Sequence, residues 1–192
     1  KGKAREPVMI KIDDENVEIL PAEELWGKGA IEAQKIVKEK YGKQYDTFAI
    51  GPAGENLVKY ACIIGSGARA AGRGGLGAVM GSKNLKAVAV RGTRKLEVAD
   101  PESLKTLAKE LAALIESNKA DQILRKFGTA NLVIPLSSSG ILPTKNFHWG
   151  SFEGAEAISG EAMTEKILVK PEGCYACSVR CKRVVKTNGK YK

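Results

Sequence analysis

Three cysteines lie within eight residues near the end of this chain, and no other feature constrains a segment as strongly. Cys174, Cys177 and Cys181 are separated by two and by three residues. Thiolates at this spacing can converge on one metal centre, which predicts most of an iron–sulfur or zinc site. Both kinds of site usually have four protein ligands. The remaining cysteine, Cys62, has no cysteine neighbour, which indicates a fourth ligand outside these 192 residues.

The composition indicates a globular, intracellular protein. Hydrophobic residues make up 43% of the chain, and no low-complexity tract suggests disorder. No apolar run is long enough to span a membrane, and residues 1–6 lack the apolar stretch of a signal peptide. A reducing, cytoplasmic location is therefore predicted, where clustered cysteines act as metal ligands more often than as disulfides.

The chain is basic, with 31 Lys+Arg against 22 Asp+Glu and a net charge of +9. The lysines are scattered and not stacked in one block, so a solvated basic face is favoured over a nucleic-acid surface. Two groups stand apart: Arg69 and Arg73 in a glycine-rich loop, and Arg180, Lys182 and Arg183 around the last cysteine. These groups could serve anionic ligands or an acidic partner, but for the second group solvent-exposed charge is favoured.

The first half of the chain has the pattern of an α/β or α+β unit. A hairpin is expected from two apolar runs around a polar turn, and a glycine-interrupted amphipathic segment predicts one or two helices. Short apolar runs bounded by glycines predict three further strands. The hairpin strands are residues 8–12 and 17–20, the helical segment is 21–41, and the further strands are 47–50, 57–64 and 86–90.

The composition changes near residues 95–98, where we place a domain boundary. Asp100 followed by Pro101 predicts a helix start, and leucines then recur with a helical period. A second helix is expected over residues 123–136, although Gly128 and Thr129 disfavour it, and a loop is expected over 137–143. Because the chain has no initiator methionine and ends soon after the cysteine motif, it is expected to be a fragment of a longer polypeptide.

A glycine-rich segment over residues 65–85 predicts a ligand-binding loop. Regular helices and strands disfavour so many glycines, and absent side chains let backbone amides approach phosphate oxygens, to which Arg69 and Arg73 could add charge-assisted bonds. The alternative is that the glycines permit tight packing of a turn against the sheet. A match to G-x-G-x-x-G at residues 72–77 is weak by itself, and no Walker loop is present. The glycines are Gly65, Gly67, Gly72, Gly74, Gly75, Gly77 and Gly81.

Four motifs in this order closely resemble the aldehyde:ferredoxin oxidoreductase family. They are residues 51–58 (GPAGENLV), residues 69–87 (RAAGRGGLGAVMGSKNLKA), residues 145–147 (KNF) and the cysteine motif at 174–181. The resemblance covers nearly the whole chain. It implies a bis-pterin cofactor with tungsten, or molybdenum in some members, together with a [4Fe-4S] cluster and a bridging Mg²⁺.

The resemblance also implies roles for particular residues. Cys174, Cys177 and Cys181 would be cluster ligands, with the fourth ligand far downstream. Arg69, Ala70 and Gly72 would contact the pterin phosphates and the magnesium, Ala70 through its carbonyl oxygen, and Arg73 would join them. The family's downstream pterin contacts and substrate-pocket residues have no counterpart here, so the catalytic residues are unknown and this segment alone is expected to be inactive.

The implied fold is α+β. Residues 1–96 would be the later part of a β-rich α+β pterin-binding domain, and residues 97–192 the beginning of a mainly α-helical domain that carries the iron–sulfur cysteines. The implied function of the intact chain is oxidation of aldehydes to carboxylic acids, with electrons passing from the tungstopterin through the cluster to ferredoxin. The expected partners are ferredoxin and a small aldehyde, with a homo-oligomer or electron-transfer subunits also compatible, and no nucleic acid or membrane.

Several alternatives are compatible with the same residues. A related tungstopterin enzyme could reduce an aromatic acyl thioester or act on a sugar-phosphate aldehyde. A zinc-bearing basic nucleic-acid-binding module is weakened by the aromatic content of 6%, and an electron-transfer subunit would not need the glycine motif. Cys62 is interpreted as a small buried hydrophobe and not as a ligand. His148, the single histidine, could be a proton shuttle or fourth ligand, but a loop histidine beside Trp149 is favoured.

Overall fold

A mixed sheet of six strands organises the first part of the chain. The hairpin strands β1 and β2 are antiparallel, β1 and β6 are parallel, and the strands are ordered β2-β1-β6-β3-β4-β5. The computed structural model describes residues 2–65, 67 and 69–189. The strands are β1 (Val8–Asp13), β2 (Asn16–Pro21), β3 (Asp46–Ala49), β4 (Ile63–Gly65), β5 (Arg69–Ala71) and β6 (Leu85–Arg91).

The chain divides into two compact units, Lys1–Glu97 and Val98–Lys192. Within the described residues of the first unit, three α-helices accompany this sheet. The helices of the first unit are α1 (Ala30–Tyr41), α2 (Pro52–Glu55) and α3 (Leu76–Ser82), and a 3₁₀ turn spans Glu23–Leu25. The core lies between α1 and the sheet, where small side chains let the helix approach the strands. Its buried residues are Met9, Ala22, Leu25, Ala33, Val37, Tyr45, Ala49, Ala87 and Ala89.

The predicted hairpin, the helix broken near its glycines, and the strands around residues 47–50 and 86–90 are confirmed. The predicted strand over residues 57–64 is wrong, since only Ile63–Gly65 is extended. Leu57 has a φ of 59°, and the N–H of Val58 donates to the carbonyl of Ala53 over 2.9 Å. These contacts turn the chain back onto α2 before β4 begins.

The second unit is mainly helical, with one small hairpin. No helix in the described part of the chain is long and apolar enough to cross a membrane. Together with the mixed sheet of the first unit, these helices confirm the predicted α+β class. The elements are α4 (Pro101–Ser117), α5 (Lys119–Phe127), α6 (Val133–Ser138), α7 (Gly160–Lys166), β7 (Leu168–Glu172) and β8 (Lys182–Val185), with 3₁₀ turns at Thr129–Leu132 and Glu156–Ile158.

The predicted helix start at Asp100 is confirmed. Its carboxylate accepts hydrogen bonds from the Ser103 hydroxyl (2.6 Å) and the Ser103 backbone N–H (3.0 Å), and these bonds lower the pKa of Asp100. The predicted single helix over residues 123–136 is wrong. Gly128 has a φ of +69°, and a β-carbon there would lie 2.9 Å from the carbonyl oxygen of Cys181, so α5 ends and a 3₁₀ turn precedes α6. The predicted loop over residues 137–143 begins only at Ser139, because α6 extends to Ser138.

A buried ion pair joins three segments of the first unit. The Lys86 and Glu55 side chains are 0% and 5% exposed, with 2.5 Å between Nζ and Oε1. Lys86 also donates to the carbonyl of Lys28 over 2.7 Å, and the Glu55 carboxylate accepts from the N–H of Gly27 over 2.9 Å. Strand β6, helix α2 and the turn before α1 are thus held at one point.

The burial of Lys86 follows from an irregularity in the sheet. Val8 pairs with Leu85 and Met9 pairs with Ala87, so Lys86 is the extra residue of a bulge between β1 and β6. A bulge redirects a side chain and bends its strand. The lysine is therefore placed inside the unit instead of on its surface.

Helices α2 and α3 cross with their backbones in direct contact. A β-carbon at Gly81 would lie 1.9 Å from the carbonyl oxygen of Gly54, and one at Gly77 would lie 2.6 Å from that of Cys62. Contacts below 3.0 Å require the backbone to move, so only glycine fits at these positions. Regular structure within residues 65–85, which the sequence did not predict, is possible because these glycines allow α3 to pack this closely.

Replacing Lys86 with methionine should destabilise the first unit strongly, because it leaves a buried carboxylate without its cation. We expect the free energy of unfolding to fall by about 3–5 kcal/mol, measured by urea denaturation of the intact protein. Lys40→Met is the matched control, since the ion pair of Lys40 with Glu24 has side chains 48% and 51% exposed and exposed pairs contribute little. Equal losses in the two variants would contradict the role given to the buried pair.

The substitution Gly81→Ala should separate α3 from α2. Because its β-carbon would overlap the Gly54 carbonyl, we expect a loss of about 1–3 kcal/mol in the free energy of unfolding, seen as a lower melting temperature. Gly92→Ala serves as the control, as a β-carbon at Gly92 meets nothing within 4 Å. If Gly81→Ala melts like Gly92→Ala, the close crossing of the two helices is refuted.

Candidate functional site

The predicted cofactor residues lie on β5 and in the turn that follows it. Arg69 and Ala70 belong to β5, and Gly72 and Arg73 come directly after it. Within the described residues, β5 is the end strand of its sheet. An edge strand turns one row of backbone N–H and C=O groups away from the sheet. Arg69 is half-buried, whereas Ala70, Gly72 and Arg73 are exposed.

The five motif glycines from Gly72 onward fall into two groups. Gly75, Gly77 and Gly81 are buried and face backbone atoms; a β-carbon at Gly75 would lie 2.1 Å from the carbonyl oxygen of Lys59. By contrast, a β-carbon at Gly74 would meet nothing within 4 Å, and one at Gly72 only Cys62 Sγ at 3.6 Å and a more distant Ala70 atom. The packing alternative therefore holds for the later glycines. The open positions around Gly72 and Gly74 are the ones available to a ligand.

A buried glutamine fixes the beginning of the glycine-rich segment. Gln34 on α1 is 4% exposed. Its side-chain nitrogen donates to the carbonyl of Ile64, and its side-chain oxygen accepts from the N–H of Gly67, both over 3.1 Å. Because both polar ends of the amide are used, α1 holds the end of β4 and the backbone of Gly67 in one position.

Beside this contact lies an open groove of about 500 Å³, lined in part by Gln34, Gly67 and three lysines. Lys35 and Lys38 come from α1, and Lys43 comes from the loop after it. Sequence reasoning treated these lysines as a solvated face. The three-residue spacing of Lys35 and Lys38 places both on one helix face. This spacing was the signal in the sequence that the two lysines would line one surface.

The cysteine motif forms the loop between β7 and β8. Cys174 and Cys177 are exposed and Cys181 is half-buried, and the Cys177 N–H donates to the Cys174 carbonyl over 3.1 Å. Ala176 and Arg180 have φ values of 53° and 54°. These left-handed residues turn the chain sharply, so the motif folds as a compact loop.

The three thiols share one loop without forming one coordination shell. In residues 2–65, 67 and 69–189, no three Cys, His, Asp or Glu side chains are grouped closely enough to hold a metal ion. All three cysteines are free thiols, and Cys174 and Cys177 line the same open concavity. Free thiols in one short loop suit an iron–sulfur cluster or zinc, and metal sites commonly become ordered only when the metal binds.

Cys62 and His148 are the two remaining candidate residues. Cys62 is half-buried and not fully buried; its Sγ lies 3.8 Å from the carbonyl oxygen of Tyr60, next to the open Gly72 turn. His148 is exposed in a loop, and its ring centroid lies 5.9 Å from that of Trp149. The interpretation of His148 as a loop histidine beside Trp149 is confirmed.

Arg183 departs from the interpretation as solvent-exposed charge. It is half-buried, and its guanidinium donates to the backbone carbonyls of Arg180 and Cys181, at the β8 end of the cysteine loop, and to two carbonyls at the end of α5. Arg180, in contrast, is exposed. Sequence alone offered no signal that would separate these two arginines.

Two family models match this chain. Residues 1–92 match the N-terminal domain of aldehyde ferredoxin oxidoreductase, and residues 106–192 match its domains 2 and 3. A tungsten-containing aldehyde ferredoxin oxidoreductase of Pyrococcus abyssi is 48% identical over 96% of this chain. One from Pyrococcus furiosus is 46% identical over 96%. The chain spans 31% of the length of each of these relatives.

A solved structure has the same fold. The BamBC active-site complex of benzoyl coenzyme A reductase, bound to 1,5-dienoyl-CoA, superposes with a TM-score of 0.71 and 31% sequence identity. The match covers 98% of this chain and 31% of that chain. The two family models, the relatives and this structure agree, and the chain belongs to the aldehyde ferredoxin oxidoreductase family.

Proposed function

We propose that these residues are part of a tungsten-dependent aldehyde:ferredoxin oxidoreductase that converts aldehydes to carboxylic acids. The observation that carries this proposal is the 48% identity over 96% of the chain to a tungsten-containing aldehyde ferredoxin oxidoreductase. The complete polypeptide, and not this segment by itself, would be the enzyme. We place it in the cytoplasm and expect ferredoxin to accept its electrons.

The first unit would hold the tungstopterin phosphates and Mg²⁺. Arg69 and Arg73 can donate charge-assisted hydrogen bonds to phosphate oxygens, and the exposed backbone at Ala70 and Gly72 can approach a ligand closely. The open space at Gly72 and Gly74 supports this assignment. Residues 1–96 would thus be the pterin-binding part of the protein.

The second unit would hold the [4Fe-4S] cluster through Cys174, Cys177 and Cys181. Thiolates are the usual protein ligands of such clusters, and the exposure of Cys174 and Cys177 leaves their sulfurs accessible to iron. Oxidation of an aldehyde to a carboxylate takes the second oxygen from water and releases two electrons and three protons. The pterin-bound metal would supply two-electron chemistry, and the cluster held by these cysteines would supply one-electron transfer toward ferredoxin.

A second candidate keeps the fold and changes the substrate. The structural similarity to BamBC of benzoyl coenzyme A reductase favours an aromatic acyl thioester. The sequence identity of this chain to that structure is 31%, lower than its 48% identity to the tungsten-containing aldehyde ferredoxin oxidoreductase. Aldehyde oxidation is therefore the better supported activity. A zinc-bearing basic module remains the alternative from another class.

Metal analysis of the anaerobically purified intact protein tests the proposal. We expect tungsten or molybdenum with about four iron and four acid-labile sulfide per chain, and aldehyde-dependent reduction of viologen. Zinc without iron, sulfide or either heavy metal would refute the family chemistry. Oxidation of reduced viologen by an aromatic acyl thioester, with no reduction of viologen by any aldehyde, would select the second candidate.

Substituting one proposed ligand should remove the cluster selectively. For Cys177→Ser we expect loss of most iron and sulfide with tungsten retained, because the two cofactors would bind different parts of the chain. Cys62→Ser is the matched control, since Cys62 lies beside Gly72 and outside the cysteine loop, and its iron content should equal that of the unaltered protein. Unchanged iron in Cys177→Ser would contradict the ligand assignment.

A further inference from the structure

Arg183 donates four hydrogen bonds to backbone carbonyls at the cysteine loop and at the end of α5. Arg183 Nε donates to the carbonyl of Cys181 over 3.3 Å, and Nη2 donates to that of Arg180 over 2.9 Å. Nη2 also donates to the carbonyl of Arg125 over 2.6 Å, and Nη1 donates to that of Lys126 over 3.0 Å. A single guanidinium therefore links two separate segments of the second unit.

The first of these segments is the C-terminal end of α5, which ends at Phe127. The last carbonyls of a helix lack partners within the helix, and a cation there interacts favourably with the helix dipole. Arg183 satisfies the carbonyls of Arg125 and Lys126 from outside the helix. Its position is thus determined by the end of α5.

The second segment is the backbone immediately before and at Cys181. Arg180 adopts a left-handed conformation with a φ of 54°, which an L-residue keeps only when its surroundings hold it. The bonds from Arg183 to the carbonyls of Arg180 and Cys181 supply such a restraint. The Cys181 side chain, projecting from this backbone, is placed by the same contacts.

The cysteine loop also packs directly against the neighbouring helices. Ser178 and Val179 line a small cavity together with Ile115, Gln122 and Arg125 of α4 and α5. A β-carbon at Gly128 would lie 2.9 Å from the Cys181 carbonyl oxygen and 3.1 Å from Arg183 Nε. The approach of the loop to the end of α5 is therefore close, and it needs a glycine at position 128.

We propose that Arg183 is a positioning residue for the iron–sulfur site, holding the Cys181 end of the cysteine loop against the end of α5. The proposal rests on the proposed function in taking the metal to be an iron–sulfur cluster. The role depends on the planar guanidinium, whose five N–H groups can reach several carbonyls at once. A lysine ammonium is a single compact point of charge and cannot replace it.

The test compares three variants of the intact protein. Arg183→Lys keeps the charge and loses the planar guanidinium, and Arg183→Gln loses both. Lys182→Gln removes a charge from the adjacent residue of β8. Hydrogen exchange is measured at residues 124–128 and 173–183, before and after removal of iron with a chelator. The reduced protein is examined by electron paramagnetic resonance and its midpoint potential is determined.

We expect amide exchange in both segments to be about tenfold faster in both Arg183 variants, because several hydrogen bonds to a charged donor are lost. We also expect faster iron release to the chelator and an altered resonance spectrum. Lys182→Gln should match the unaltered protein in exchange and spectrum. Unaltered exchange in α6 and in the strands of the first unit would show that both units of each variant are folded.

Three results would overturn the proposal. Exchange and spectrum unchanged in both Arg183 variants would show that the contacts do not position the loop. An equal effect of Lys182→Gln, or exchange and spectrum unchanged in Arg183→Lys but altered in Arg183→Gln, would show that charge alone is responsible. Absence of iron and sulfide from every preparation, the unaltered one included, would instead refute the proposed function. In that case the exchange rates still decide whether Arg183 positions the loop.

Discussion

The first unit depends on the buried ion pair between Lys86 and Glu55. Burying either charge alone in the protein interior would cost free energy. Neither side chain can move away without leaving the other buried and unpaired. Through the carbonyl of Lys28 and the N–H of Gly27, the same pair fixes the turn before α1. Helices α1 and α2, which precede the glycine-rich segment, are thereby held relative to β6.

This restraint explains how one segment could serve both packing and the phosphate binding that we propose. Glu55 ends α2, and α2 lies against α3 through Gly54 and Gly81, so the later glycines are used by the fold. Earlier in the segment, around Gly72 and Gly74, the backbone is open. A rigid support next to an exposed glycine turn is what a phosphate-binding loop needs, since the amides must be ordered before the ligand arrives.

The cysteine loop shows the same division between chemistry and support. The thiols of Cys174 and Cys177 are exposed, while the backbone beside Cys181 is held through Arg183 to the end of α5. A metal site works only when residues behind its ligands orient them. The helical part of the second unit would provide that support for the cluster.

The sequence by itself determined the family, the α+β class, the hairpin, the start of α4 and the candidate ligands, because these depend on local spacing and short motifs. Only the tertiary structure decided that residues 57–62 are not a strand and that Lys86 and Arg183 are not surface charges; Gly128 already disfavoured the helix predicted over 123–136, and its contact with Cys181 divides that helix. These features depend on contacts between residues far apart in the chain: Lys86 meets Glu55, and Arg183 meets Arg125. Local pattern cannot indicate such contacts, because a buried lysine and a solvated one have the same neighbours in sequence.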